Sequence, residues 1–233
     1  MSDLVIDCIS DTHGRHKDIS LPGGDILIHA GDCSEFGGYV ETIDFADWFK
    51  SQPYKHHILI PGNHDGIFEE WPIIMREELS DKGICVLNDS GTEIEGIKIW
   101  GSAITPAFCG WHFNRQRGPE IKRHWDMIPN DIDILITHGP PIDILDKAKE
   151  GSHRPGCSDL LKAIQDRPSI KLHIFGHLHL QGMSSIEKDG KIFVNCAYLD
   201  ESYNPRQKTH MRLTKDDQCH HHQTKNGKDF IEK

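Results

Sequence analysis

A single layered α/β domain is predicted, on three observations. Short, uninterrupted apolar runs recur along the chain, and amphipathic stretches of helical length separate them. No internal repeat and no linker rich in proline, glycine or serine divides the 233 residues, a length that suits one large domain with a substantial core.

The apolar runs are 4–9, 26–30, 57–60, 132–136 and 172–175. Each is continuous rather than alternating, the pattern of a strand covered on both faces. Helices are predicted over 39–50, 67–82, 120–127 and 159–166, where apolar residues return at helical spacing. Two stretches read as hairpins, 92–100 turning at Glu95-Gly96 and 184–195 turning at Asp189-Gly190. The expected sandwich therefore mixes parallel with antiparallel strands. Residues 1–214 form the folded domain in this reading, and the polar stretch 215–233, with its histidines at 220–222, forms a loosely attached tail.

Composition narrows the function. A net charge of −10 disfavours nucleic acid as a partner, because binding it means neutralising phosphates. A small phosphorylated substrate remains open, since bound cations can reverse the local field. No run reaches the length of a membrane span, and Met1-Ser2-Asp3-Leu4 opens without an export pattern. The seven cysteines form no Cys-x-x-Cys pair, which points to reduced thiols and a cytoplasmic location.

The residues that follow the apolar runs carry the chemistry. They are Ser10-Asp11-Thr12-His13, Gly31-Asp32, Pro61-Gly62-Asn63-His64-Asp65, Thr137-His138-Gly139-Pro140 and Gly176-His177-Leu178-His179. Carboxyl ends of strands line the ligand crevice of an α/β sheet. Five such ends deliver nitrogen and oxygen donors here, a mixture suited to Mn²⁺, Fe or Zn²⁺ rather than Ca²⁺. A turn or cap explains any one block as well; all five together point to a metal centre.

Asp-x-His, Gly-Asp, Gly-Asn-His-Asp, His and Gly-His-x-His, in this order over residues 11–179, resemble the calcineurin-like metallophosphoesterases. Trp100-Gly101-Ser102, Gly110-Trp111-His112-Phe113-Asn114, Arg117-Gly118, Thr137 to Pro141, Gly156-Cys157 and Asn195 are similar to the small branch of metallophosphoesterase-domain proteins. The resemblance implies a four-layer αββα sandwich with a centre of two divalent metal ions, Mn²⁺ foremost, at one edge of two mixed sheets. It implies Asp11, His13 and His179 on the first metal, Asn63, His138 and His177 on the second, and Asp32 between them. It also implies that His64 meets the phosphate or protonates the departing alkoxide, with Asp65 accepting a hydrogen bond from His64. Metal-bound hydroxide would then attack phosphorus in a small phosphate ester, a phosphodiester such as a cyclic nucleotide before a nucleotide or sugar monoester. The competing reading is a nucleotide-binding or scaffold protein with little turnover. Leu180 departs from the acidic residue that many relatives carry there.

Trp111, Asn114 and Arg117 are the candidates for further substrate contacts, as an aromatic and polar loop able to meet a phosphate or a base. His29, His57 and His173, inside apolar runs, are expected in the core or at a sheet edge. His16, His56, His124, His153 and His210 are expected at the surface.

Overall fold

The apolar runs become strands, and the chain turns at their glycine-marked ends. The computed structural model describes residues 4–148, 154–214, 223–225 and 228–230. In order come β1 (Val5–Ile9), β2 (Gly24–Ala30), α1 (Tyr39–Ser51), β3 (Tyr54–Ile60), α2 (Ile67–Glu70), α3 (Pro72–Asp81) and β4 (Cys85–Val86). The hairpin β5 (Ser90–Ile94) and β6 (Ile97–Ser102) follows, then β7 (Thr105–Pro106), β8 (Asn114–Arg115), α4 (Pro119–Asp126), β9 (Ile134–Thr137), α5 (Ser158–Gln165) and β10 (Leu172–Phe175). The hairpin β11 (Ser184–Lys188) and β12 (Lys191–Asn195) precedes β13 (Met211–Thr214). Of the predicted tail, β14 (Gln223–Lys225) and β15 (Lys228–Phe230) pair antiparallel. The histidines at 220–222 lie outside the described residues, as does His153.

The strands build two mixed sheets. In the first, ordered β13-β1-β2-β3-β4, the strands β1 to β4 run parallel and β13 closes the edge antiparallel to β1. In the second, ordered β11-β12-β10-β9-β6-β5, the four inner strands are parallel and each outer one returns through a hairpin. One hydrophobic core joins them, with Ile28, Ile58 and Ile60 from the first sheet and Ile136, Ile174 and Val194 from the second fully buried. Helix α1 buries Phe45 and Phe49 against His29 of β2, and α3 packs by β4, while α4 and α5 pack together. The architecture is two mixed sheets with helical flanks.

The predicted helix over 67–82 is two helices. Trp71, at φ −127° and ψ 56°, breaks it. The ring of Pro72 bars the residue before it from helical geometry, then opens α3 as a favourable first residue. The short strands β4, β7 and β8 and the late strand β13 were not predicted. Two-residue strands carry no period, and β13 joins β1 across some two hundred residues. There Arg212 donates through Nε and Nη2 to both oxygens of the buried Asp7, at 2.9 and 2.6 Å, and Tyr54 donates its hydroxyl to the same carboxylate.

His16 is a correction: it is buried, not on the surface. Its ring lies among Phe45 and Trp48, with Nε2 3.3 Å from Asp44. His124 is half-buried, with Nδ1 2.7 Å from Asp89. His29, His57 and His173 are buried, and burial alone pushes His173 down to about 3.

Candidate metal centre

The donor blocks meet at one edge of the sandwich because both sheets present the carboxyl ends of parallel strands there. Asp11, Asp32 and Asn63 follow β1, β2 and β3 of the first sheet, while His138 follows β9 and His177 and His179 follow β10 of the second. The two sheets touch at this edge: Ser10 bridges to Ala197, and the backbone of Ser10 bonds with Cys196 and Tyr198.

The loops turn sharply to aim these side chains. Asp11, His13, Asp32 and His177 all have φ between 41° and 67°. This left-handed region costs a residue with a side chain about 1–3 kcal/mol, and such strain gathers at functional sites. Two glycines make room. A Cβ on Gly62 would collide with Asp32 and the His138 ring, and one on Gly176 with Ser10 and the Asp11 carboxylate.

The donor atoms fall into groups within 4.8 Å of one another: Asp11, His13 and His179; Asp32, His138 and His177; and, between them, His13, Asp32 and His64. Oδ2 of Asp32 lies 3.2 Å from Nε2 of His138 and 3.8 Å from Nε2 of His13, a central position. Asn63 Oδ1 lies 3.0 Å from Nε2 of His138. Backbone carbonyls orient the rings: Nδ1–H of His138 donates to Ala30 at 3.0 Å and that of His179 to Asp200 at 3.0 Å. That tautomer turns Nε2 of both toward the centre, as a metal ligand requires. Asn195, outside the five donor blocks, also supports the centre, since its amide donates to the carbonyl of Leu178 at 2.9 Å.

The electrostatics call for a cation. Burial works against ionising Asp11, yet His179 and His138 hold it well below the usual carboxylate range. Burial opposes ionising Asp32 too, and His138 and His13 pull it down. Against the effect of its own burial, His138 is pushed up to about 10 by Asp32 and Asp11. His177, by contrast, falls to about 3 through burial and the neighbouring His138. Both nitrogens of His13 are buried without a hydrogen-bond partner, which an imidazole tolerates poorly unless one of them binds an ion. Two buried carboxylates, one central carboxylate oxygen and orphaned imidazole nitrogens fit divalent metal.

His64 and Trp111 stand at the rim, with ring centroids 4.2 Å apart and planes at 29°. His64 also lies against His13, centroids 4.6 Å apart. Its backbone N–H donates to Asp32 Oδ1 at 2.8 Å.

One expectation is corrected here, and two predicted residues are engaged elsewhere. Asp65 does not partner His64. Its buried carboxylate accepts from the N–H groups of Gly62, Cys33 and Ser34 and from the Ser34 hydroxyl, at 2.7 to 3.2 Å. Burial, with the charge of Asp32, pushes its pKa up. The ring of His64 is held instead by the carbonyl of Glu35, 2.8 Å from Nδ1. Asn114 spends its amide on its own loop, accepting from the Phe108 N–H and donating to the His112 carbonyl. Arg117 spends its guanidinium on the carbonyls of Pro155 and Gly156. The last two tie loops together, so of the predicted loop only Trp111 stands against a candidate catalytic ring.

Sequence reading missed two aromatic residues. Tyr203 covers the first donor group, 4.8 Å from His13 and 5.1 Å from His179 between ring centroids. Phe108 meets His177 edge-on at 5.1 Å. No motif marks either.

Residues 4–181 match the family described as calcineurin-like phosphoesterase. The chain is 36% identical over 219 residues to metallophosphoesterase domain-containing protein 1 of Homo sapiens, and equally to that of Mus musculus, covering 85% of this chain and 67% of each relative. Among solved structures, the phosphopantetheinyl hydrolase of Mycobacterium tuberculosis superposes with a TM-score of 0.62 at 13% identity, covering 92% of this chain and 96% of that one. These matches, over a site of this geometry, make the chain a member of the calcineurin-like phosphoesterases and hence a metal-dependent phosphoric ester hydrolase.

Proposed function

We propose that the protein hydrolyses small phosphate esters, phosphodiesters including cyclic nucleotides before monoesters, at a pair of divalent metal ions, with Mn²⁺ the favoured metal. The observation that carries this reading is the central placing of Asp32 between two groups of histidine and carboxylate donors. Asp11, His13 and His179 would hold one ion and Asn63, His138 and His177 the other, with Asp32 shared. When bound, the ions supply Lewis-acid polarisation of the phosphoryl group and lower the pKa of a coordinated water.

The chain's own groups do the rest. The Glu35 carbonyl keeps the Nδ1 proton of His64 in place, so Nε2 is the atom that gives a proton to the departing alkoxide. Trp111, stacked on the same ring, limits the rotation of His64 and keeps water off one face. The His64 N–H steadies the Asp32 carboxylate, so both residues share one frame. A reducing cytoplasm belongs to the same reading, supported by the six described cysteines, which are free thiols.

The test is hydrolysis of bis-p-nitrophenyl phosphate and p-nitrophenyl phosphate by metal-stripped protein with Mn²⁺ restored, beside Asp32→Ala. Metal-dependent turnover that favours the diester and disappears in Asp32→Ala is expected. Faster turnover of the monoester would reverse the preference, and full activity in Asp32→Ala would remove the shared carboxylate from the reading.

A further inference from the structure

Three large aromatic side chains remain well exposed beside the donor groups: Trp111 at 40%, Phe108 at 37% and Tyr203 at 37%. Each rests on a ring of the site. Trp111 lies on His64, Phe108 on His177 and Tyr203 on His13 and His179. They come from two separate segments, the β7–β8 connection and the turn after Asp200, and each borders the donor cluster.

Both segments are braced to hold the rings outward. The Phe108 N–H donates to Asn114 Oδ1, and the Trp111 N–H to the Phe108 carbonyl. The Tyr203 N–H donates to the Asp200 carbonyl, while the Asp200 carboxylate accepts from Ser202 and Asn204. Cys109, Phe113 and Tyr203 sit at φ 48°, 57° and 60°, a conformation their side chains resist. Rings left partly in water on such a backbone are ready to stack on something.

Three arginines of these segments are already engaged. Arg115 pairs with Glu69, Arg117 donates to Pro155 and Gly156, and Arg206 donates to the His179 carbonyl. Beyond the metal donors, these segments offer ring faces rather than open guanidinium groups. A second phosphate or a carboxylate on the substrate would find no arginine waiting among these three.

We propose that Trp111, Phe108 and Tyr203 form a subsite for a flat, uncharged ring system carried by the ester, a nucleobase being the fitting biological example. It rests on the phosphoester reading above and narrows it, making Tyr203 a specificity-determining residue outside every sequence motif. Stacking a base on aromatic side chains is worth roughly tenfold or more in binding.

The test compares 2′,3′-cyclic adenosine monophosphate with glycerol 1,2-cyclic phosphate, which present the same five-membered cyclic diester with and without a base. The Mn²⁺-loaded full chain should favour the nucleotide in kcat/KM by about tenfold or more. That ratio should fall toward unity in Trp111→Ala and in Tyr203→Leu, and return in Trp111→Phe and Tyr203→Phe, which keep a ring. In parallel, calorimetry should show adenosine 3′-monophosphate binding more tightly than glycerol phosphate, with the same dependence on the variants. A ratio near unity in the wild type, or one that both ring-deleting variants leave intact, overturns the subsite. If neither diester is turned over, the phosphoester reading fails, and calorimetry alone decides whether the rings hold a base.

Discussion

His64 is bonded through Nδ1 to the carbonyl oxygen of Glu35 at 2.8 Å. A carbonyl can only accept, so the Nδ1 proton stays in place and Nε2 does the exchanging. His64→Ala should lose about 10²–10⁴-fold in kcat on esters with alkoxide leaving groups. The loss should shrink to roughly tenfold or less when the leaving group is p-nitrophenolate, which departs without a proton. Equal losses on both kinds of ester would leave His64 as a phosphate contact alone.

Asp65 organises backbone rather than catalysis. Asp65→Ala would strand the N–H groups of Gly62, Cys33 and Ser34 in the interior, at about 1–3 kcal/mol each. Urea unfolding should show a loss of at least ~3 kcal/mol. In Asp65→Asn the pH profile of kcat should keep its wild-type midpoints, whereas a direct His64–Asp65 dyad would move them.

The clamp on β13 gives a double-mutant test. Arg212→Ala leaves the buried Asp7 carboxylate without its guanidinium and should cost roughly 3–5 kcal/mol. Asp7→Asn combined with Arg212→Ala removes the stranded charge and should cost less than the sum of the two single changes. Simple additivity in chemical denaturation would show that the two residues are not coupled.

Acid should destabilise the fold partly through His173, which burial lowers from 6.5 to about 3. Its folded pKa lies below its unfolded one, so the unfolded chain takes up the proton first as pH falls. The stability is complete above 6.5 and drains away toward about 3, at roughly 1.4 kcal/mol per pH unit. Between pH 6.5 and 5, the stability gap between wild type and His173→Gln should close by ~2 kcal/mol. Parallel curves for the two proteins would contradict it.

Much of the site was legible because strand ends are legible. An apolar run followed closely by a donor, often with a glycine beside it, says both where the chain turns and what it carries there, and Asp11, Asp32, Asn63, His138 and His177, which the structure gathers at one edge, were read that way. Side-chain direction is not written so plainly. Asp65 follows His64 directly, yet the turn from Gly62 sends its carboxylate back under the loop. Asn114 and Arg117 have chemistry suited to a phosphate, but nearer backbone groups claim it. Tyr203 and β13 depend on contacts across most of the chain, and no local pattern announces them. Trp71 is a different case: Pro72 stands in plain view, yet the apolar spacing over 67–82 reads as one helix and passes over the break between α2 and α3.

The donors hang from both halves of the sandwich: Asp11, Asp32 and Asn63 from one sheet, His138, His177 and His179 from the other. An ion gripped from both sides is a rivet as well as a reagent. Pulling it should loosen the seam between the halves, so melting temperature becomes a gauge of occupancy. An ion at a hundred times its dissociation constant adds about 2.7 kcal/mol. A chelator would then disarm the enzyme and soften it in the same stroke.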